Sequence, residues 1–325
     1  MKLSTRLLNL LTAIGCFAIA GIAVAYFLIN EKFEWIPESA LELVREKELL
    51  ERPDAKRCSE CHKDIYEAWK ESRHSISWIS KTYIEASENR SKEKCLACHI
   101  PESVTGEKPS PRLDRRDDGI YCVSCHFVNG KMNGPYDLVA PPHPTHRNPD
   151  YVNSRFCGSC HQKTFKEWKE TGVEDTCQNC HMPRTKDRLT QKFPLSLLHK
   201  QKWVGSHKFL HGDLSEKDIL MEAEFKNNFF NLSLLNKTVP HKVPTADNGD
   251  PRIYLYITFL NAAGEQVDQA KEILAPQQET ALPFNKEVRF RYRLFDPVAQ
   301  AIIVLKYQPA WSKERVVIWE KIIRP

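Results

Sequence analysis

Ten of the eleven cysteines fall in five pairs, each followed directly by a histidine: Cys58-Ser-Glu-Cys61-His62, Cys95-Leu-Ala-Cys98-His99, Cys122-Val-Ser-Cys125-His126, Cys157-Gly-Ser-Cys160-His161 and Cys177-Gln-Asn-Cys180-His181. Two thiols three residues apart can add to the two vinyl groups of one haem, and the adjacent imidazole then lies under the iron as proximal ligand. The rival chemistry is zinc held by paired CxxC knuckles, but zinc asks nothing of the residue after the second cysteine. Histidine is 12 of 325 residues, so five such neighbours by chance is on the order of 1 in 10⁷. A disulfide scaffold fails on the same count. The motifs therefore predict five covalently bound haem c groups, with the ten cysteines as thioether donors and the five histidines as proximal iron ligands.

Only 124 residues, Cys58 to His181, carry these motifs. That is too short for a conventional side-chain core of its own size. Porphyrin must supply most of the buried apolar surface, with short helices and irregular segments wrapped around it. An internal repeat supports this organisation. Cys61-His62…Tyr66…Trp69-Lys70-Glu71-Ser72 aligns with Cys160-His161…Phe165…Trp168-Lys169-Glu170-Thr171, and in each copy the histidine, the aromatic and the tryptophan share one helical face. His99-Ile100-Pro101 and His181-Met182-Pro183 match as well. The pattern is a partial duplication around a middle motif.

From Cys58 to Arg184 the sequence resembles the cytochrome c-554-like multihaem cytochromes. The matching features are the first CxxCH running into Tyr66, Trp69, Ser72 and His74, a CxxCH-x-Pro motif, and Asp118-Gly119-Ile120-Tyr121 leading into Cys122. Gly134-Pro135, Phe156-Cys157-Gly158-Ser159-Cys160-His161-Gln162 and Cys177…His181-Met182-Pro183 follow in order. The resemblance implies electron transfer, a periplasmic or outward-facing location and stacked haem pairs. Seven histidines outside the motifs are candidates for distal iron ligands. His74 matches a Trp-x-x-Ser-x-His pattern of the family, and His146 sits where the resemblance expects a ligand, with His143 as fallback. A His-x-Phe pattern favours His207, leaving His211 and His199 as competitors for another iron. His241, in Val239-Pro240-His241-Lys242-Val243-Pro244-Thr245, echoes a Gly-His-x-x-Pro-Thr-Gly stretch of relatives but lacks both glycines.

Upstream, Leu7–Ile29 runs 23 residues without a charge, with Lys2 and Arg6 before it and Glu31 and Glu34 after. Such a helix spans a hydrocarbon layer of about 30 Å and leaves the bulk of the chain outside the cytoplasm. A single-pass anchor at the periplasmic face of the cytoplasmic membrane is the expectation. Its rivals are a signal cleaved after Ala23-Val24-Ala25 and a faint lipoprotein-like box at Ala13-Ile14-Gly15-Cys16. Residues 31–57, with Leu41, Val44, Leu49 and Leu50 at near-helical spacing, read as a stalk helix.

The rest is soluble in texture: apolar residues are 41 %, charged residues 27 % and mean hydropathy −0.50. That excludes a polytopic membrane protein and a disordered chain. The net charge of +5 is concentrated in residues 185–211, with six Lys and Arg against Asp187 alone. A nucleic-acid binder needs a broader basic footprint. The segment suits internal pairing with haem propionates, or docking of an acidic redox partner or anionic lipid. After about residue 214 the cysteines stop. Asn227–Leu235, Arg252–Leu260, Lys286–Leu294, Ala301–Tyr307 and Arg315–Ile323 are β-rich runs separated by turn signals, as in a small antiparallel sandwich.

The sequence thus predicts a membrane anchor over 1–30, a stalk over 31–57, a mainly α and irregular pentahaem cytochrome domain over 58–213, and a β-sandwich-like domain over 214–325. Its expected role is electron transfer between redox protein partners, with the membrane as a further partner. Two alternatives are a haem enzyme acting on a small nitrogen or sulfur compound and a quinol dehydrogenase of the NapC/NrfH sort. The all-histidine proximal set and the surplus of histidines favour a carrier over an enzyme.

Overall fold

The uncharged run at the amino end forms one helix, α1 (Thr5–Asn30), whose apolar side chains between Leu10 and Phe27 are unburied. It is long and apolar enough to cross a membrane, a property a signal sequence shares. The computed structural model describes residues 5–30, 47–105, 109–138, 143–211 and 214–325. Most of the expected stalk, residues 31–46, lies outside them; a 3₁₀ turn at Lys47–Leu50 is what the described part contains. The chain divides into two units, Met1–Phe156 with Thr176–Leu210, and Cys157–Asp175 with His211–Pro325.

The first unit is built of short helices whose ends the local sequence dictates. Asp54 caps α2 (Ala55–Ser59) by accepting the Arg57 N–H at 2.7 Å, and Ser80 caps the helix α4 (Lys81–Ala86). Between them α3 (Lys63–Lys70) starts directly after His62. Helices α5 (Glu93–His99) and α6 (Cys122–His126) are little more than the second and third motifs themselves. Strands β1 (Phe127–Val128), β2 (Lys131–Gly134) and β3 (Thr145–Arg147) form a small sheet after the third motif. Asn129-Gly130, both at positive φ, make its tight turn.

The second unit begins with the fourth motif and α7 (Gln162–Thr171). The chain then returns to the first unit through α8 (Cys177–His181), β4 (Arg184–Asp187), α9 (Leu195–Leu198) and β5 (Lys202–Gly205), with β4 and β5 antiparallel. The backbone carries the duplication seen in the sequence. His62 (φ −104°, ψ 51°) and His161 (φ −91°, ψ 53°) are the same non-helical N-cap, while Ile100 (φ −138°, ψ 55°) and Met182 (φ −131°, ψ 59°) are the same C-cap. The Tyr66–Trp69 and Phe165–Trp168 ring pairs both sit 5.6 Å apart.

The carboxyl-terminal region is β-rich, as its runs of alternating residues predict. Strands β6 (Ile219–Lys226), β7 (Phe229–Asn236) and β10 (Glu287–Arg293) form one antiparallel sheet in the order β10-β7-β6. Strands β8 (Arg252–Leu260), β9 (Gln266–Leu274), β11 (Gln300–Gln308) and β12 (Val316–Ile323) form another, in the order β12-β11-β8-β9. Alternate residues from both sheets share one core, including Phe230, Leu232 and Leu234 of β7 with Ile253, Leu255, Ile257 and Phe259 of β8. Phe230 meets Phe259 edge-on at 5.4 Å. Trp319 Nε1 donates to Ile219 O at 2.6 Å, tying β12 to β6. Two strands, β6 and β9, were not expected from the sequence.

Candidate haem-binding sites

The second, third and fifth motifs lie within α5, α6 and α8, whereas the first and fourth end in a turn whose histidine is the N-cap of α3 or α7. Among the described residues the ten motif cysteines form no disulfide. The Cys58 and Cys122 thiols are hydrogen-bonded to each other, which lowers Cys58 and raises Cys122 well above the ordinary thiol value. The first and third motifs are therefore immediate neighbours. Among the described residues no three His, Cys, Asp or Glu side chains converge as a metal cluster.

The motif histidines are oriented by what their Nδ1 atoms meet. His62 reaches Leu189 O at 2.5 Å, His99 reaches Ser77 O at 2.7 Å and His126 reaches Asn133 O at 2.8 Å. His181 reaches Leu210 O. A carbonyl can only accept, so each of these rings is Nδ1-protonated and presents a bare Nε2 to a metal. Burial lowers the pKa of His62, His99 and His126, and so keeps them in the neutral, ligating form.

The fourth motif differs. His161 Nδ1 lies 3.7 Å from Asp247 Oδ2. Asp247 also accepts from Lys163 N at 2.6 Å and from Thr164 Oγ1 at 3.3 Å. Burial would raise its carboxyl, but His161, Lys163 N–H and the Thr164 hydroxyl outweigh that and hold it below the usual range.

The structure brings non-motif histidines beside the first and third motif histidines. His143 faces His62 and His207 faces His126, each with ring centroids 6.2 Å apart. Burial pushes both His143 and His207 down to about 4, so both rings are neutral. His199 is buried, is likewise pushed down to about 4, and its Nδ1 has no hydrogen-bond partner. His74 packs edge-on against Phe209 at 4.3 Å, and its carbonyl accepts from Ile120 N at 3.0 Å. His146 lies on β3 in register with Asn133. In the second unit, His211 packs on Trp311 at 4.5 Å, and His241 Nδ1 meets Lys242 O at 2.9 Å.

Sequence reasoning passed over several residues that hold these sites. Tyr83 stacks on His99 at 3.9 Å and Tyr151 on His126 at 5.1 Å. Leu189, Thr190 and Gln191 form a strap over the first motif: Thr190 Oγ1 and Gln191 N both donate to Cys61 O, at 3.0 and 2.8 Å. The Arg112 guanidinium is buried and donates to the carbonyls of Pro101, Asp114, Arg115 and Gly119, and to Ser124 Oγ. It thereby joins the ends of the second and third motifs. Only the Asp118-Gly119-Ile120-Tyr121 stretch, noted for its resemblance, signalled any of this.

Comparison with known proteins follows the same line. Residues 57–127 match the family model described as Cytochrome c554 and c-prime, a span that covers the first three motifs. Among solved structures, a penta-heme cytochrome c552 from Thermochromatium tepidum is similar, with a TM-score of 0.58 and 19 % identity over 84 % of this chain and 100 % of that one. A glycosyl hydrolase family 2 member from Bacteroides cellulosilyticus aligns over 33 % of this chain and 13 % of its own, at 10 % identity and a TM-score of 0.18 that carries no argument. No curated protein matches. The family model bears out the resemblance to multihaem c-type cytochromes over the first three motifs, and the penta-heme cytochrome shares the fold.

Proposed function

We propose that this chain is a pentahaem cytochrome, tethered by α1 to the periplasmic face of the cytoplasmic membrane, that relays electrons between redox protein partners through closely spaced haems. The observation that carries the reading is the 6.2 Å spacing of His62 from His143 and of His126 from His207. That separation would leave room for one metal ion between the two rings of each pair, held as an imidazole-ligated haem iron would be. The residues present fit haem. The five motifs would hold it by thioether bonds, His143 and His207 would close the first and third sites, and His211 and His241 are the candidates within the fourth motif's own unit. His74, His146 and His199 remain for the second and fifth.

Each haem, when bound, supplies one-electron exchange at its iron. The protein's part is to fix position and environment. Carbonyl acceptors lock the ring orientation of four motif histidines, burial holds His143 and His207 neutral, and the Cys58–Cys122 contact makes the first and third motifs neighbours. The first unit's apolar clusters contain only four and three buried side chains, which supports a core completed by porphyrin. Irons closed on both faces by imidazole cannot bind substrate, which favours a relay over catalysis.

The test is the haem count and spin state of the purified full-length protein. Intact mass is expected to show five haems, and the reduced protein to change little in its spectrum on adding carbon monoxide. Mostly high-spin spectra, with turnover of hydroxylamine, nitrite or sulfite at enzymatic rates, would overturn the relay.

A further inference from the structure

Four of the five motif histidines meet a neutral backbone carbonyl, and one meets a carboxylate. His161 Nδ1 is 3.7 Å from Asp247 Oδ2, within ion-pair reach. Asp247 is not a mobile surface group. Its side chain is 15 % exposed, and it is pinned to the first turn of α7 by Lys163 N and Thr164 Oγ1. One turn further along the same helix lies a second carboxylate, Glu167, itself only 7 % exposed. Glu167 Oε2 accepts from the Thr245 hydroxyl at 2.8 Å, while Oε1 is buried without a partner. Lys163, two residues after His161, sends its Nζ instead to Pro276 O at 2.7 Å. Among the described residues neither carboxylate is paired with a lysine or arginine.

A carboxylate draws the Nδ1 proton more strongly than a carbonyl does, which makes Nε2 a better electron donor to its metal. Fixed negative charge close to an iron also favours its more positive oxidation state. Both effects act in the same direction at this site, the one motif histidine shown facing a carboxylate. Resting on the pentahaem reading above, we propose that Asp247, with Glu167 behind it, makes the haem site at Cys157–His161 the lowest in potential of the five, the last to be reduced and the first to be reoxidised. Asp247 is on this account a positioning and tuning residue, acting through His161.

The experiment is an optical redox titration of the full-length holoprotein and of Asp247→Asn, Glu167→Gln and Asp247→Glu. Asparagine keeps the oxygen that accepts from Lys163 N, so α7 retains its start. In Asp247→Asn the lowest-potential component is expected to gain at least tenfold in its ratio of reduced to oxidised form at a given potential, about 59 mV for one electron. The other four components should stay in place. Glu167→Gln should move the same component in the same direction by less, and Asp247→Glu should leave it within threefold of the parent. A change in the ferric electron paramagnetic resonance of one haem is the second readout, which a purely structural role would not confine to one component. No shift, a shift in a component other than the lowest, or an equal shift in all five would overturn the inference. Should Asp247→Asn fail to fold, Glu167→Gln decides alone. Intact mass on the same samples separates the two claims. Fewer than five haems refutes the pentahaem reading, whereas five haems without a shift refutes only the role of Asp247.

Discussion

Gly119 is held at φ 60°, ψ −133°, where a side chain is strained. A Cβ there would stand 2.4 Å from His74 O, 2.7 Å from Ser75 O and 2.7 Å from Ser77 Oγ. The first two are backbone atoms of the segment that carries His74, and that segment is fixed by the Ile120 N–H on His74 O. Gly119→Ala must therefore add about 1–3 kcal/mol of backbone strain, lose a hydrogen bond of about 1 kcal/mol and push the His74 turn away. The total is about 3–5 kcal/mol. At about 2–4 °C per kcal/mol for a domain of this size, the melting temperature falls by about 10 °C. Gly130→Ala is the matched control: Gly130 is also at positive φ, 73°, but meets nothing within 4 Å, so it should cost about 1 kcal/mol. Differential scanning calorimetry of the two holoproteins, with visible spectra alongside, makes the comparison. Gly119→Ala should also disturb the spin state of one haem if His74 ligates iron. If the two variants melt within 1–2 °C of one another, the steric argument is wrong.

His207→Met or His143→Met should change the potential or spin state of one haem while intact mass stays at five, because thioether bonds do not depend on the distal ligand. Cys122→Ala with Cys125→Ala should remove one haem by mass and destabilise the first unit, since these residues adjoin the cluster of Ala55, Trp69, Tyr121 and Val123. For Asp218, burial pushes its pKa up, but the hydroxyls of Thr238 and Ser215 and the Ser215 N–H outweigh that and depress it. Its contribution to stability is then complete above the ordinary aspartate value and is lost as pH falls through the depressed one. Asp218→Asn should flatten the acid limb of a plot of melting temperature against pH, and an unchanged slope would count against it. Finally, amino-terminal sequencing of membrane-extracted protein should read from the start of the chain; a start at Tyr26 would make α1 a cleaved signal.

What could be read from the sequence follows the range of the forces involved. The motifs are local chemistry and were fully visible, as was β8, whose alternation of apolar residues spans Arg252–Leu260. Strands β6 and β9 were hidden because Ile-Leu-Met-Glu-Ala-Glu-Phe-Lys and Gln-Val-Asp-Gln-Ala-Lys-Glu-Ile-Leu are rich in helix formers. They are strands because β7 and β8 offer them partners, and pairing overrides propensity. The resemblance pointed to His146 with His143 as fallback, and the structure stands the His143 ring beside His62, a juxtaposition that no local signal encodes. Asp247 was invisible for the same reason: nothing in its neighbours announces a histidine brought in from the start of the second unit.

The strap over the first motif has a consequence for the order of events in making the protein. His62 and Cys61 emerge early during synthesis, but the groups that fix them, Leu189, Thr190 and Gln191, follow 127 residues later along the chain in the case of the His62–Leu189 contact. Closing so long a loop is entropically costly and slow compared with forming the single-turn helices of the motifs. The first site must therefore wait, open to its surroundings, while the later ones are made. The earliest cysteines of the series remain the longest accessible to covalent chemistry, and the closing of the strap marks the end of that interval.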